Sequence, residues 1–248
     1  MANLKLLYQK KTAYNNVRVV EKDSIRTIKF GSELFDMSCD QSATDLYNPN
    51  RHVFDYSLLF MYNLCFNPFP NNVLIVGLGG GTIAKEIKHY FPAVSIDIIE
   101  IDPEILEIAK QYFFFREDFT AKVIIGDAFD VIDKYKNKYD FIMIDAFTND
   151  YVPPKIASKA FLRKVKLALK TNGVASFNTC NRHRSFHSHA ADVCEVFSGN
   201  VYFSIGPRNP LTTLLYAVNG NGGPSHFINL PKEYYPDIKV QEYLFDSV

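Results

Sequence analysis

The fold of this chain is decided by the stretch Val73-Leu74-Ile75-Val76-Gly77-Leu78-Gly79-Gly80-Gly81. Its first four residues form a continuous apolar run, which is typical of a strand covered on both faces in a parallel sheet. The run ends in a glycine turn. Apolar residues then recur at helical spacing from Ile83 to Phe91, until Pro92 stops the helix. The pattern predicts a strand, a tight turn and a helix, which together open an α/β sheet.

The chain next places an acid at the end of a second strand. Residues 94–99 are predicted to form that strand, and Glu100 and Asp102 follow it. In an open parallel sheet the ligand crevice lies beyond the carboxyl ends of the strands. A turn without side chains lets a ligand lie against backbone amides, and an acid after the second strand can accept both hydroxyl hydrogen bonds of a ribose. The sequence therefore predicts a nucleoside site.

A dinucleotide is the first alternative ligand, because the spacing between the glycines and the acid is similar in nicotinamide-binding folds. Their fingerprint has its third glycine three residues after the second, however, and that position is Thr82 in this chain. The glycine turn therefore favours a nucleoside over a dinucleotide.

Two further predicted strands also end in acids. Residues 123–125 lead into Gly126-Asp127-Ala128, and residues 141–144 lead into Asp145. A single acid after a strand is usually a helix cap or a solvated loop residue. Three acids, Glu100, Asp127 and Asp145, on the same sheet edge as the glycine turn favour a pocket instead.

The first forty-odd residues have a different pattern. Residues 17–19 and 26–30 alternate polar with apolar, and residues 34–37 form a third short run, which together predict an antiparallel meander. Such a meander is too small to be stable alone, so it should pack on the main domain or on a second subunit. We therefore expect an N-terminal β-strand domain at residues 1–50 and a cofactor-binding domain at residues 51–248.

The larger domain carries further predicted elements. They are a buried helix at residues 55–65, a helix capped by Asp102 and Pro103, a helix from Ser158 closed by Asn172-Gly173, a strand at residues 174–177, a helix at residues 185–197, and an antiparallel edge hairpin at residues 201–205 and 211–218.

Composition excludes several classes of function. The 27 basic and 27 acidic residues cancel, so nothing indicates a nucleic-acid or anionic-membrane surface. The four cysteines have no paired metal spacing and indicate reduced thiols of an intracellular protein. His183, His187 and His189 lie near Cys180, but their spacing fits no established zinc pattern, so no metal is predicted. No apolar stretch reaches membrane-spanning length, and we expect a soluble cytoplasmic protein.

The motifs at residues 73–81, Ile99 to Pro103, Gly126 to Ala128 and Tyr139 to Phe147 resemble the successive motifs of the spermidine synthase (polyamine aminopropyltransferase) family. The resemblance covers nearly the whole chain. It implies the seven-stranded Rossmann-like fold of methyltransferases that use S-adenosylmethionine, with a mostly parallel sheet, an antiparallel edge hairpin and a small N-terminal antiparallel β domain. It also implies a homodimer.

The resemblance implies a role for nine residues. Asp145 matches the acid assigned to catalysis. The other eight would bind the nucleoside co-substrate, decarboxylated S-adenosylmethionine. Within that set the three glycines would contact its sulfonium end, Glu100 its ribose, Ile101 its adenine, and Asp127 with Ala128 the amino edge of the base. The full set is Gln41, Gly77, Gly79, Gly81, Glu100, Ile101, Asp127 and Ala128.

In that family an aminopropyl group passes to the amine of putrescine, and methylthioadenosine is released. A primary amine with a pKa of about 10 is protonated at neutral pH, so its lone pair must be exposed before it can attack the carbon beside the sulfonium. A carboxylate at the Asp145 position can orient the ammonium and accept its proton.

Three departures from the family pattern leave alternatives open. Gly80 stands where the family has an aspartate that helps to hold an amine. Thr148 stands at the second acid, with Asp150 shifted by two residues, and residues 54–56 occupy the region of a tyrosine-histidine-glutamate motif. The alternatives are a methyltransferase that uses S-adenosylmethionine itself, and a non-catalytic protein that binds a nucleoside or a polyamine.

Overall fold

The computed structural model describes residues 4–31, 40–49, 51–146, 152–224 and 246–247. An antiparallel four-stranded sheet comes first, in the order β1-β2-β3-β4. Its strands are β1 (Lys5–Lys11), β2 (Asn16–Lys22), β3 (Ile25–Phe30) and β4 (Asp40–Asp45). The two alternating runs that predicted strands became β2 and β3, whereas the predicted run at residues 34–37 lies outside the described residues.

The larger sheet has the order β12-β10-β11-β9-β8-β5-β6-β7. Strands β5 to β9 pair in parallel, and β11, β10 and β12 add antiparallel pairs at one edge. The predicted seven-stranded, mostly parallel sheet with its edge hairpin is confirmed, and the two-residue β12 extends it. The strands are β5 (Asn72–Val76), β6 (Ser95–Glu100), β7 (Ala121–Ile125), β8 (Tyr139–Ile144), β9 (Leu169–Cys180), β10 (Val201–Ile205), β11 (Thr212–Val218) and β12 (Asp246–Ser247).

Helices connect these strands. They are α1 (Asp55–Met61), which continues as a 3₁₀ turn (Tyr62–Cys65), α2 (Thr82–Tyr90), α3 (Pro103–Tyr112), α4 (Ala128–Val131), which continues as a 3₁₀ turn (Ile132–Lys134), α5 (Pro154–Ala157), α6 (Lys159–Ala168) and α7 (Phe186–Val196).

Two predicted helix starts have the expected caps. The Asp102 carboxylate accepts a hydrogen bond from the Glu104 amide at 3.0 Å, and the Ser158 hydroxyl accepts one from the Phe161 amide at 3.3 Å. The predicted end of the second of these helices is wrong. Helix α6 ends at Ala168, and residues 172–173 lie inside strand β9 instead, because the chain pairs with β8 as soon as the helix ends.

The core lies on both faces of the parallel strands. Val73 and Ile75 point to one face and Leu74 and Val76 to the other, and all four are at most 2% exposed. This is the pattern expected of a continuous apolar run, because successive side chains in a strand point to opposite faces.

The N-terminal sheet packs against the start and end of α3. The Thr12 hydroxyl donates to the Asp102 carboxylate at 2.6 Å, and the Arg26 guanidinium donates to the Tyr112 carbonyl at 2.8 Å. Tyr8 and Lys10 also hydrogen-bond Glu104. The meander therefore rests on the main domain, one of the two placements expected for it.

Candidate active site

A cavity of about 550 Å³ lies beyond the carboxyl ends of the parallel strands. Eight of the nine residues singled out from the sequence line it, and Gly81 does not. The eight are Gln41, Gly77, Gly79, Glu100, Ile101, Asp127, Ala128 and Asp145. The structure therefore brings together residues that the chain separates by more than 100 positions.

The strand order sets the layout of the cavity. Asp127 follows β7, Glu100 ends β6, Gly77 follows β5 and Asp145 follows β8, in that spatial order. Neighbouring strands lie about 4.8 Å apart, so the backbones at Glu100 and Asp145 stand roughly 10 Å apart across the sheet edge.

The strand order lets the lining be described as two halves, one on each side of Asp145. The β5–β7 half is lined by Gly77, Gly79, Glu100, Ile101, Asp127 and Ala128. The β9–β11 half is lined by Asn178, Thr179, Cys180, Asn209, Leu211 and Thr212.

The glycine turn brings the backbone close to the end of β8. Gly77 has a φ of +96°, and a Cβ atom there would lie 2.4 Å from the Asp145 carbonyl oxygen, so only glycine fits. Gly81 is the N-cap of α2 with a φ of +69°, and a Cβ atom there would meet the Phe115 ring at 2.6 Å. Gly81 thus shapes the turn from the core side, outside the cavity lining.

Glu100 is held in a fixed orientation. It is 7% exposed, and its two carboxylate oxygens accept hydrogen bonds from the Leu78 amide at 2.8 Å and the Asp102 amide at 2.9 Å. Burial raises the pKa of the Glu100 carboxyl above its ordinary value, and the two backbone amides oppose that rise. Each oxygen keeps a second acceptor site, as a pair of ribose hydroxyls would need.

The far end of the β5–β7 half combines an apolar surface with an ion pair. Ile101 is 40% exposed and lines the cavity. Asp127 caps α4 through the Phe129 amide at 2.8 Å, while its other oxygen accepts from the Lys155 ammonium at 2.6 Å. Asp127 therefore serves as a helix cap and as a cavity wall at once. Lys155 also lines the cavity, and sequence reasoning did not single it out.

Asp145 is half-buried at the junction of the two halves, and the Asn178 side-chain amide donates to its carboxylate at 2.9 Å. Burial raises the pKa of the Asp145 carboxyl to about 7. The Asn178 hydrogen bond opposes this rise and the charge of Glu100 adds to it. A carboxyl that titrates near neutrality can accept and release a proton at physiological pH, as a general base must.

Sequence reasoning also missed Tyr56 and Asn178 as cavity residues. Tyr56 lies in the predicted buried helix at residues 55–65, yet it lines the cavity and its hydroxyl donates to the Gln41 carbonyl at 3.1 Å. Burial, with a smaller contribution from the Asp145 charge, raises the pKa of the Tyr56 phenol. Asn178 directly follows the predicted strand at residues 174–177, so the rule that found the acids at strand ends could also have found it.

The position of the missing turn aspartate is closed off from the cavity. A Cβ atom at Gly80 would lie 2.8 Å from the Phe113 ring and 3.1 Å from the Ser42 hydroxyl, and Gly80 does not line the cavity. Thr148 and Asp150 lie outside the described residues.

Within the described ranges, no group of three or more His, Cys, Asp or Glu side chains is arranged to hold a metal ion. In the same ranges no helix has the length and apolar character to cross a membrane.

Comparisons with known proteins identify the family of this chain. Residues 55–217 match the model of the spermine/spermidine synthase domain. A polyamine aminopropyltransferase from Vibrio vulnificus is 31% identical over 206 residues, which cover 81% of this chain and 68% of that protein.

Solved structures agree on the fold. Spermidine synthase from Thermotoga maritima superposes with a TM-score of 0.70 at 19% identity and covers 88% of this chain and 75% of its own. Human methyltransferase-like protein 13 in complex with SAH superposes with a TM-score of 0.61 at 27% identity and covers 74% of this chain and 88% of its own. The family model spans more than half of the chain, and the chain therefore belongs to the spermine/spermidine synthase family.

Proposed function

We propose that this protein is an aminopropyltransferase that moves the aminopropyl group of decarboxylated S-adenosylmethionine to a polyamine-type amine. The observation that carries the proposal is the position of Asp145. It stands between a cavity half built for a nucleoside and a second half open to an acceptor, and its carboxyl pKa is raised to about 7.

The residues of the β5–β7 half fit the nucleoside co-substrate. Glu100 presents a fixed, buried carboxylate to ribose hydroxyls, and Ile101 offers an exposed apolar face to the adenine. Gly77 and Gly79 leave the turn free of side chains where the sulfonium end would lie. The co-substrate supplies the electrophile, a carbon activated by the positive sulfur.

In the proposed reaction Asp145 removes a proton from the acceptor ammonium. The freed nitrogen lone pair forms the new C–N bond as the C–S bond breaks, and the electrons of that bond stay on the sulfur of methylthioadenosine. The Asn178 hydrogen bond orients the Asp145 carboxylate for this transfer. General-base catalysis of this kind contributes roughly 10²- to 10⁴-fold in rate, and correct alignment of the two reactants contributes further.

Putrescine is the proposed acceptor. Three expectations accompany the proposal: a homodimer, a cytoplasmic location, and a division of the chain into domains at residues 1–50 and 51–248. Sedimentation of the purified protein tests the first of these.

Calorimetric binding and product analysis test the function. The protein is titrated with decarboxylated S-adenosylmethionine, S-adenosylmethionine and methylthioadenosine, each with and without putrescine. We expect preference for the decarboxylated compound and for methylthioadenosine, and formation of an aminopropylated amine when putrescine is added. The proposal would be refuted if the protein bound none of the three nucleosides.

A second candidate function is methyl transfer from S-adenosylmethionine. The observation that favours it is the environment of Gly80, where the Phe113 ring occupies the place of a turn side chain, so no carboxylate there would repel the carboxylate of the intact compound. The similar human methyltransferase-like protein 13 was solved in complex with SAH. Preference for S-adenosylmethionine in the same titrations, with a methylated amine as product, would favour this candidate.

A further inference from the structure

The loop between β10 and β11, Gly206 to Leu211, forms part of the wall of the β9–β11 half. It supplies Asn209 and Leu211 to the cavity lining. The loop is tightly folded, since the Gly206 amide donates to the Thr212 carbonyl at 2.8 Å and the Thr212 amide donates to the Asn209 carbonyl at 3.0 Å. Its shape therefore fixes where the two lining side chains stand.

A single buried carboxylate anchors this loop. The Asp55 side chain is 1% exposed and accepts three hydrogen bonds from the loop: from the Arg208 amide at 2.7 Å, the Asn209 amide at 2.6 Å and the Arg208 Nε at 2.6 Å. The contact is so close that a Cβ atom at Gly206 would lie 2.7 Å from Asp55 Oδ2. The Arg208 guanidinium also donates to the His52 carbonyl at 3.0 Å.

Asp55 also connects the loop to a second part of the cavity wall. It is the first residue of α1, and the next residue, Tyr56, lines the cavity and senses the charge of Asp145. Asp55 itself does not line the cavity. One carboxylate thus ties the Gly206–Leu211 loop to the helix start that carries Tyr56. Two well-packed apolar side chains often stabilise a fold at least as much as a buried ion pair does. The buried Asp55–Arg208 pair is therefore weak evidence for a role in stability alone.

We propose that Asp55 is a positioning residue that holds the Gly206–Leu211 loop as the acceptor-side wall and thereby sets the affinity for the amine acceptor. The proposal rests on the proposed function, because it takes the β9–β11 half as the acceptor side. It predicts that loss of the Asp55 carboxylate weakens use of the acceptor and leaves nucleoside binding intact.

The test compares Asp55→Asn with wild type. Asparagine keeps the shape of the aspartate side chain, but it has one acceptor oxygen for the three loop N–H donors. Its NH₂ group would therefore face at least one of those N–H groups. We expect the KM for the amine to rise about tenfold or more. The affinity for methylthioadenosine should stay within about twofold, since the loop supplies none of the residues that line the β5–β7 half. Arg208→Ala keeps both backbone bonds to Asp55 and should shift the KM for the amine in the same direction, by less.

Asp45→Asn is the matched control. The Asp45 carboxylate is also buried, and it accepts from the Tyr47 amide and from the Arg51 guanidinium, both at 3.0 Å, but it does not line the cavity. We expect the KM for the amine to be unchanged in this variant.

An unchanged KM for the amine in Asp55→Asn overturns the proposal, and so does an equal loss of amine and nucleoside affinity. If Asp55→Asn does not fold, the KM for the amine and the affinity for methylthioadenosine are measured in Arg208→Ala instead, and the same outcomes overturn the proposal. If wild type binds the nucleoside but turns over no amine, the proposed function fails and hydrogen exchange of residues 206–211 decides the role of Asp55. Faster exchange there in Asp55→Asn than in Asp45→Asn supports loop positioning, and equal exchange overturns it.

Discussion

The raised pKa of Asp145 predicts that Asp145→Asn makes the protein more stable and less active, with both effects dependent on pH. Burial disfavours the charged carboxylate in the folded state, whereas in the unfolded chain the group titrates near its ordinary 3.8. Below pH 3.8 the carboxyl is neutral in both states and carries no penalty. As the pH rises from about 4 to about 7, only the unfolded state loses its proton, so wild-type stability falls over that window and then levels off.

The size of the effect follows from the two pKa values. The interval from 3.8 to about 7, at about 1.4 kcal/mol per pH unit, corresponds to about 4 kcal/mol. Asp145 is half-buried and lines the cavity, so solvent screens part of this penalty. We therefore expect the unfolding free energy of Asp145→Asn to exceed that of wild type by about 2 to 4 kcal/mol at pH 8. The Asn178 hydrogen bond survives in the variant, because the asparagine carbonyl oxygen can accept it.

Urea unfolding of wild type and Asp145→Asn at intervals from pH 4 to pH 8 measures this gain. The difference in unfolding free energy should be near zero at pH 4 and grow until about pH 7. Asp133→Asn is the control, because Asp133 is exposed, pairs with Lys164 and lies outside the cavity. A difference between wild type and Asp145→Asn that stays constant with pH would refute the argument from burial.

Kinetics test the same carboxyl independently. A base that must be ionised gives a kcat/KM that rises about tenfold per pH unit below pH 7 and levels off above it. In Asp145→Asn the rise of kcat/KM below pH 7 should disappear. Turnover should fall by about 10²- to 10⁴-fold, while the affinity for methylthioadenosine is kept. Full turnover in the variant would show that Asp145 is not the catalytic base.

Two further predictions concern the β5–β7 half. Glu100→Gln should weaken methylthioadenosine binding by about 10- to 100-fold in calorimetry, because ribose hydroxyls lose a charged acceptor; an unchanged dissociation constant would place the ribose elsewhere. Gly80→Asp should lower the unfolding free energy by about 1 to 3 kcal/mol, because its Cβ would lie 2.8 Å from the Phe113 ring, and an unchanged urea midpoint would contradict that packing.

The parallel core of the fold could be predicted because its physical pattern is local. The run at Val73–Val76 is covered on both faces, so every residue in it is apolar and the strand is visible without any knowledge of its neighbours. Two N-terminal strands lacked such a pattern. Lysines and exposed positions fill the edge strand β1, and β4 contains polar residues such as Ser42 and Thr44 that are buried only because other elements cover them. Their strand state depends on tertiary contacts that a single sequence does not display.

The same limit applies to the site. Acids at the carboxyl ends of strands, such as Glu100 and Asp145, could be found because topology alone brings them to one edge. Tyr56 reaches that edge from a helix, and Asn209 and Leu211 reach it from a hairpin loop, so their positions depend on how the helix and the loop pack. Gly81 shows the converse limit: it lies outside the cavity lining, and a motif match does not reveal which glycines face a cavity and which face the core.

The hydrogen bond from Thr12 to Asp102 has a consequence for how the protein responds to ligand. Asp102 also donates its amide to Glu100, so an unbroken series of bonds joins the N-terminal sheet to the proposed ribose acceptor. Free-energy coupling is reciprocal: a nucleoside that favours the docked sheet must bind more tightly when the sheet is docked, by the same factor. Limited proteolysis at the β1–β2 turn would then report occupancy of a site in the other sheet, without any measurement of turnover.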